Sequence, residues 1–241
     1  MLYKTELRYR LRWGGESPAE LNPAVKLHGA LMNAAGNDLA EYLHRSQLHP
    51  FSLCCIANGG SLFVRICALN DETSGLCDRL LQLKTVEFYG CETRAELMGC
   101  EFYEPVSVDE AADKLGENVR VEFVTPAMYR SKGRSMNTPE PEKYFYSAVC
   151  KMNEFENCRI EFDDFLKAWR SAQITGYSYQ SAACDITGWR FPGMTGQVTL
   201  RMPKNAESSL LLKKVLAYSE YSGVGAKTGQ GMGGIRLSCG R

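Results

Sequence analysis

The sequence predicts an α+β fold: two tandem β-α-β-β-α-β units, with a glycine-rich loop near the C-terminus. Three observations predict it. Runs that alternate apolar and polar residues are interleaved with runs of helical period. Asn58-Gly59-Gly60 stands between two apolar runs as a hairpin signal. The same order of elements then recurs loosely after residue 118. This is the ferredoxin-like, or RRM-like, order.

The first strand alternates cleanly. Leu7, Tyr9 and Leu11 share one side, and Lys4, Glu6, Arg8, Arg10 and Arg12 share the other. Asn22-Pro23 then supplies an N-cap and a proline at the first helical position, and Val25, Leu27, Leu31 and Ala34 follow at helical spacing. Gly36-Asn37-Asp38 breaks that helix and caps a short second one, Leu39 to His44. Phe51–Ala57 and Ser61–Leu69 read as the two arms of the hairpin. A helix near Ser74–Leu83 and β-rich sequence from Thr85 to Tyr103 complete the first unit, residues 1–107.

Asp109–Gly116 reads as a short helix between the halves, and the second unit spans residues 118–241. In it Val119–Val124 reads as a strand and Glu140–Arg170 as largely helical. Gln173–Thr187 and Trp189–Met202 read as paired strands, Ser208–Tyr221 as an amphipathic helix and Ile235–Cys239 as a last strand.

Composition narrows the function. The chain has 241 residues, 44% of them hydrophobic, which excludes a mainly disordered protein. No apolar run approaches the ~18 residues of a membrane span and the N-terminus lacks an apolar signal core, so a soluble, cytoplasmic protein with no membrane partner is expected. Its ten cysteines include no Cys-x-x-Cys, so they are expected to be reduced core residues rather than metal ligands. The 28 basic and 28 acidic side chains balance, but their distribution is uneven. From Arg201 to Arg241 seven basic residues face two acidic ones, and Arg130, Lys132 and Arg134 cluster in what reads as a loop. Two basic patches on a neutral chain point to an anionic partner such as nucleic acid.

The most specific stretch is Tyr221-Ser222-Gly223-Val224-Gly225-Ala226-Lys227-Thr228-Gly229-Gln230-Gly231-Met232-Gly233-Gly234, with six glycines. A P-loop needs Gly directly before the Lys, and a Rossmann turn needs a third Gly where Thr228 stands; both also need a strand before the loop, where here a helix precedes it. What survives is a loop whose backbone N–H groups can lie close to a polyanion, at Gly223, Gly225, Thr228 and Gly231, with Lys227 adding charge. The bland alternative is a tight helix-to-strand connection.

This loop, preceded by Glu220-Tyr221-Ser222, resembles the C-terminal signature of the CRISPR repeat-processing endoribonucleases of the RAMP superfamily. Phe123-Val124-Thr125-Pro126, with the basic loop and Pro139-Glu140-Pro141, resembles the start of their second domain. Phe191-Pro192-Gly193-Met194-Thr195-Gly196-Gln197-Val198 is similar to their central hairpin, and Tyr42-Leu43-His44 followed by Pro50-Phe51-Ser52 to the segment with their usual catalytic histidine. The resemblance implies two ferredoxin-like domains and CRISPR repeat RNA as partner, with effector-complex subunits or a second copy of the chain as further candidates. It also implies RNA cleavage without a metal or other cofactor, leaving 5′-hydroxyl and 2′,3′-cyclic phosphate ends. Arg130, Lys132, Arg134 and the glycine loop are then the expected RNA contacts.

The three histidines, His28, His44 and His49, all lie between positions 28 and 49. Imidazole titrates near neutrality, so it suits the base and acid that 2′-hydroxyl attack requires. His44 occupies the family slot and is the first candidate; His28 is the second. Relatives place a tyrosine in the first helix and a lysine before the Pro-Phe segment, where this chain has Met32 and His49. Spacings of sixteen and five among the histidines match no zinc signature. The rival reading is a non-catalytic RAMP subunit that holds guide RNA, from which a histidine in the family slot discriminates. A tandem RRM-like single-strand binder would carry an aromatic-rich strand motif absent here.

Overall fold

The protein was analysed as a computed structural model that describes residues 1–13, 22–88 and 93–239. Its first half runs β1 (Leu2–Trp13), α1 (Pro23–Ala35), α2 (Asn37–Arg45), β2 (Phe51–Asn58), β3 (Ser61–Ala68), α3 (Asp71–Gln82), β4 (Thr85–Phe88) and β5 (Thr93–Val106). The strands form one antiparallel sheet in the order β2-β3-β1-β5-β4. β2, β3, β1 and β5 make the four-stranded ferredoxin-like sheet, and β4 adds an edge strand. The β-rich stretch expected from Thr85 to Tyr103 is therefore two strands.

Leu7, Tyr9 and Leu11 face inward as the alternation predicts, against Leu27 and Leu31 of α1 and Leu76 and Leu80 of α3. Asn22 caps α1 by accepting from the Ala24 N–H at 3.1 Å, and Pro23 opens it. Asn37 and Asp38 lie inside α2 instead of capping it; the backbone of Gly36, at φ 79°, makes the break.

The second half runs α4 (Val108–Asp113), β6 (Asn118–Ala127), β7 (Tyr129–Ser131), β8 (Arg134–Met136), α5 (Pro141–Tyr144), α6 (Tyr146–Phe155), α7 (Phe162–Ser171), β9 (Gln173–Ile186), β10 (Trp189–Arg201), α8 (Ala206–Ser222) and β11 (Ile235–Cys239). Its main sheet has the order β11-β6-β10-β9, the same ferredoxin-like arrangement. The expected basic loop is a small hairpin, β7-β8, turned by Lys132 and Gly133 at φ 49° and 77°. Positive φ at both turn positions matches the twist of a two-residue hairpin.

α8 departs most from expectation. Its amphipathic character is confined to its first turns, and from Val215 to Ser222 every residue except Glu220 is buried. The reason lies in the other half: Leu2, Cys67 and Leu69 join the apolar core of the second half, so α8 is covered on both sides. Polar bonds cross the same junction. Arg65 of β3 donates to the Ile235 carbonyl at 2.5 Å, and its other nitrogen lies 3.7 Å from the Glu220 carboxylate. Ser52 donates to the Tyr221 carbonyl, and Asn22 to the Asp185 carbonyl at 2.8 Å. The described cysteines are all free; Cys54, Cys67 and Cys77 are core residues as expected, whereas Cys100 and Cys239 are exposed. Among the described residues no helix is long and apolar enough to cross a membrane.

Arg65 is nearly buried, so removing it leaves Glu220 and a carbonyl short of a partner. Arg65→Met is expected to lower unfolding free energy by ~2 kcal/mol in urea titrations. Arg45→Met, which removes an exposed pair with Glu41, should stay within ~0.5 kcal/mol.

Candidate active site and RNA interface

Three segments far apart in sequence meet at one seam: α1, the start of β2, and the loop from Gly223 to Gly234. A 3₁₀ turn, Thr228–Gln230, forms the middle of that loop, bracketed by Lys227 at φ 63° and Gly231 at φ 94°. The glycines explain the fit. A Cβ on Gly231 would stand 2.2 Å from Ala24 Cβ of α1, and one on Gly229 would stand 3.0 Å from the Phe51 ring. At Gly225 it would meet the Met128 carbonyl oxygen at 2.1 Å, and at Gly223 the Thr228 methyl at 2.9 Å. Here missing side chains admit protein, not an open approach for a ligand.

Much of the loop's hydrogen bonding is internal as well. The Gly225 N–H donates to the Tyr144 carbonyl at 2.9 Å and Ser147 Oγ at 2.7 Å. Ala226 donates to the Met128 carbonyl, Gly233 to the Pro126 carbonyl and Gly234 to Thr125 Oγ1. Glycines 223, 225 and 231 are thus each required by packing inside the protein, a cause that the motif alone did not give. Thr228 is buried, its hydroxyl accepting from Lys151 at 2.8 Å.

His28 sits on the α1 side of this seam. Its Nδ1 lies 2.9 Å from the Gly229 carbonyl, and its ring stacks on Phe51 at 6.0 Å between centroids. A carbonyl can only accept, so this contact is a hydrogen bond with the proton on Nδ1; in the neutral imidazole that tautomer carries its lone pair on Nε2. His49, exposed in the turn before β2, meets the same Phe51 ring edge-on at 6.2 Å. His44 falls in the last turn of α2; its side chain lies outside the described residues. Phe51, read from the sequence as a strand residue within the Pro50-Phe51-Ser52 segment, is the platform on which His28 and His49 meet.

The two basic features also converge. Arg130, Lys132 and Arg134 are exposed on the β7-β8 hairpin. Lys227 lies over the Phe191 ring, 4.6 Å from its centroid, and donates to Gln230 at 3.1 Å. Burial, then the nearby Arg130 charge, pulls the Lys227 pKa below the ordinary lysine value. Lys26 and Arg190 line a cleft of about 560 Å³ between α1 and the turn joining β9 to β10. One edge of the seam is thus positively charged. Among the described residues no group of three His, Cys, Asp or Glu side chains stands together as metal ligands.

Comparison with known proteins places this geometry. The profile described as CRISPR-associated endoribonuclease Cas6 matches residues 121–235. A Streptococcus thermophilus protein of that name is 28% identical over 227 residues, covering 89% of this chain and 90% of that one. The chain is thus similar over most of its length to the Cas6 CRISPR-associated endoribonucleases. A Mycobacterium tuberculosis Cas6 is 25% identical over 222 residues, covering 88% of this chain and 70% of the relative. A solved Thermus thermophilus Cas6 superposes with a TM-score of 0.70 at 24% identity, over 99% of this chain and 98% of that one. A Cas6 titled as a product complex superposes with a TM-score of 0.77 at 21% identity, over 99% of this chain and 100% of that one. The Cas6 profile runs from β6 into β11, so it takes in the glycine loop and excludes the histidines, which only the full-length relatives span.

One residue of this chain escaped sequence reasoning. Lys151 of α6 is buried between apolar neighbours, and its ammonium donates to the Ser222 carbonyl at 3.0 Å and Thr228 Oγ1. Its flanks Ala148, Val149 and Met152 are all core residues, so a lysine on the apolar face of a helix was the available signal. Burial pulls its pKa down to about 7.

Two outcomes follow from this packing. Gly231→Val should lose ~2 kcal/mol or more of unfolding free energy, from a clash added to a left-handed backbone; stability within ~0.5 kcal/mol of the parent would show room that the geometry denies. For Lys151 the unfolded chain holds its proton up to the ordinary lysine range, while the folded chain releases it near 7. Between those values the unfolded state binds more protons, so this contribution grows as pH rises and is lost as pH falls toward 7. The stability difference between the parent and Lys151→Met should therefore increase from pH 7 to pH 9, by at most ~1.4 kcal/mol per pH unit. A flat difference would place a fully charged lysine there throughout.

Proposed function

We propose that this protein cuts CRISPR precursor RNA within each repeat, using histidines at the α1–glycine loop seam. The observation that carries the reading is His28 fixed on the Gly229 carbonyl, where the first half meets the most characteristic loop of the second. The likeness to the Cas6 endoribonucleases supports the RNA chemistry, and a structurally similar RAMP protein is described as binding different RNA substrates. The basic edge supplies what a phosphate chain needs: Arg130, Lys132 and Arg134 on a projecting hairpin, and Lys227 beside Arg130. With the glycines filled by protein, the positive side chains carry the RNA contact. A cytoplasmic setting, where repeat RNA is transcribed, fits this role.

The reaction needs no water and no metal. The 2′-hydroxyl loses its proton to a base and its oxygen bonds to the adjacent phosphorus; the bond to the 5′ oxygen breaks, and an acid protonates the leaving oxygen. His44 and His28 take these two parts. His28, with its Nδ1 proton held by Gly229, presents Nε2 as the lone-pair nitrogen suited to a base. Fixed positive charge at the seam stabilises the phosphorane as charge develops. The alternative of a guide-holding RAMP subunit without cleavage shares the fold but gives the paired histidines no work.

The test is a gel of labelled repeat RNA. Cleavage should persist in EDTA, yield a 2′,3′-cyclic phosphate and stop when the nucleotide before the scissile phosphate is 2′-deoxy, with affinity nearly unchanged. His44→Ala and His28→Ala should each slow cleavage ~10²–10⁴-fold at little cost in affinity. EDTA-sensitive cutting of the deoxy substrate would mean a metal-activated water instead.

A further inference from the structure

We propose that Lys151 is a positioning residue for the cleavage reaction, holding the glycine loop so that Gly229 fixes the orientation and tautomer of His28. This rests on the reading that His28 takes part in the chemistry. Lys151 lies on α6, far from the histidines in sequence, and is 4% exposed. Its ammonium spans two points of the loop: the Ser222 carbonyl at 3.0 Å, where α8 ends, and Thr228 Oγ1 at 2.8 Å, where the 3₁₀ turn begins. Thr228 is itself 4% exposed, and no ion pair of Lys151 with a carboxylate occurs among the described residues. The next residue is Gly229, whose carbonyl meets His28 Nδ1 at 2.9 Å and where an added Cβ would stand 3.0 Å from the Phe51 ring on which the imidazole stacks.

A buried ammonium without a carboxylate is costly, and a helix of apolar neighbours would pack a methionine there readily. The two hydrogen bonds are what the lysine adds. They tie the helix end to the turn, and the turn carries the Gly229 carbonyl that His28 Nδ1 meets at 2.9 Å. Without them the turn can rotate, Gly229 leaves Nδ1, and the hydrogen bond that selects the Nδ1-protonated tautomer is lost. Only the Nδ1-protonated form keeps Nε2 basic. Small displacements of a reacting group are expensive, since ~1 Å can cost ~10²-fold in rate.

The test uses the full-length protein. Thr228→Val removes the acceptor at nearly constant shape, Thr228→Ser keeps it, and Lys151→Met removes the donor. Single-turnover cleavage at saturating protein should fall ~10-fold or more in Thr228→Val and Lys151→Met, while the Kd for repeat RNA changes less than ~2-fold. Thr228→Ser should recover most of the loss. With three histidines in the chain, long-range ¹H–¹⁵N spectra resolve each ring. His28 should be Nδ1-protonated in the parent and a tautomer mixture in Thr228→Val. In a His28→Ala background, Thr228→Val should cost nothing further. The proposal is overturned if Thr228→Val leaves the His28 spectrum and the saturated rate unchanged, or if its whole effect is on Kd. If Lys151→Met fails to fold, the Thr228 pair decides alone. If His28→Ala cleaves normally, the reading of His28 as an acid–base group falls, and the spectrum alone then decides whether Lys151 and Thr228 hold the ring.

Discussion

The close fit of the glycine loop between the two sheets is the constraint on which the rest of the site depends. A side chain at Gly231 would meet Ala24, one at Gly229 would meet Phe51 and one at Gly234 would meet Cys54 at 2.6 Å. All three targets belong to the first half, although the loop belongs to the second. Packing this tight is intolerant of even one added carbon, because the neighbours are backbone, ring or helix atoms that cannot swing aside. The loop therefore sets how closely α1 approaches the second half. His28 sits at that approach, and so does the carbonyl that orients it.

Polar groups then set the register of a fit that apolar contact makes tight. Arg65 reaches from β3 to the Ile235 carbonyl and Glu220, Ser52 from β2 to the end of α8, and Lys151 from α6 to both ends of the loop's first half. Each bond joins groups that would otherwise be buried and unsatisfied, so sliding one half over the other would leave several such groups at once. A site built across two units gains rigidity in this way without a large loop-ordering cost when RNA arrives. The charged edge around Lys227 and Arg130 remains on the outside of this seam, where counterions can be exchanged for phosphates.

Local signals in the sequence were sufficient for the fold. The alternation from Leu7 to Leu11, the Asn22-Pro23 start of α1 and the Gly59-Gly60 turn each act within a few residues, and each element stands where those signals put it. What stayed hidden depends on contacts between distant residues. Arg65 and Glu220 are 155 positions apart, and α8 looks amphipathic until the first half covers its outer face. The glycine loop was found as a motif, but its composition could not tell whether an RNA backbone or a protein neighbour fills the space of the absent side chains. The basic cluster was legible by charge, while its hairpin shape rested on Lys132 accepting a positive φ, an uncommon choice for a residue with a side chain. Of the histidines, His28 acquires its role only through Gly229, two hundred residues away in the chain.

The central claim is that RNA is cut at the seam between α1, the start of β2 and the glycine loop. Photocrosslinking reads this directly: a repeat RNA carrying 4-thiouridine beside a 2′-deoxy scissile position is bound to the full-length protein, irradiated and the attached peptides identified. The account predicts crosslinks within residues 22–51 and 223–234. Crosslinks confined to other surfaces, such as the outer face of the first sheet around Arg8 and Phe63, would contradict it.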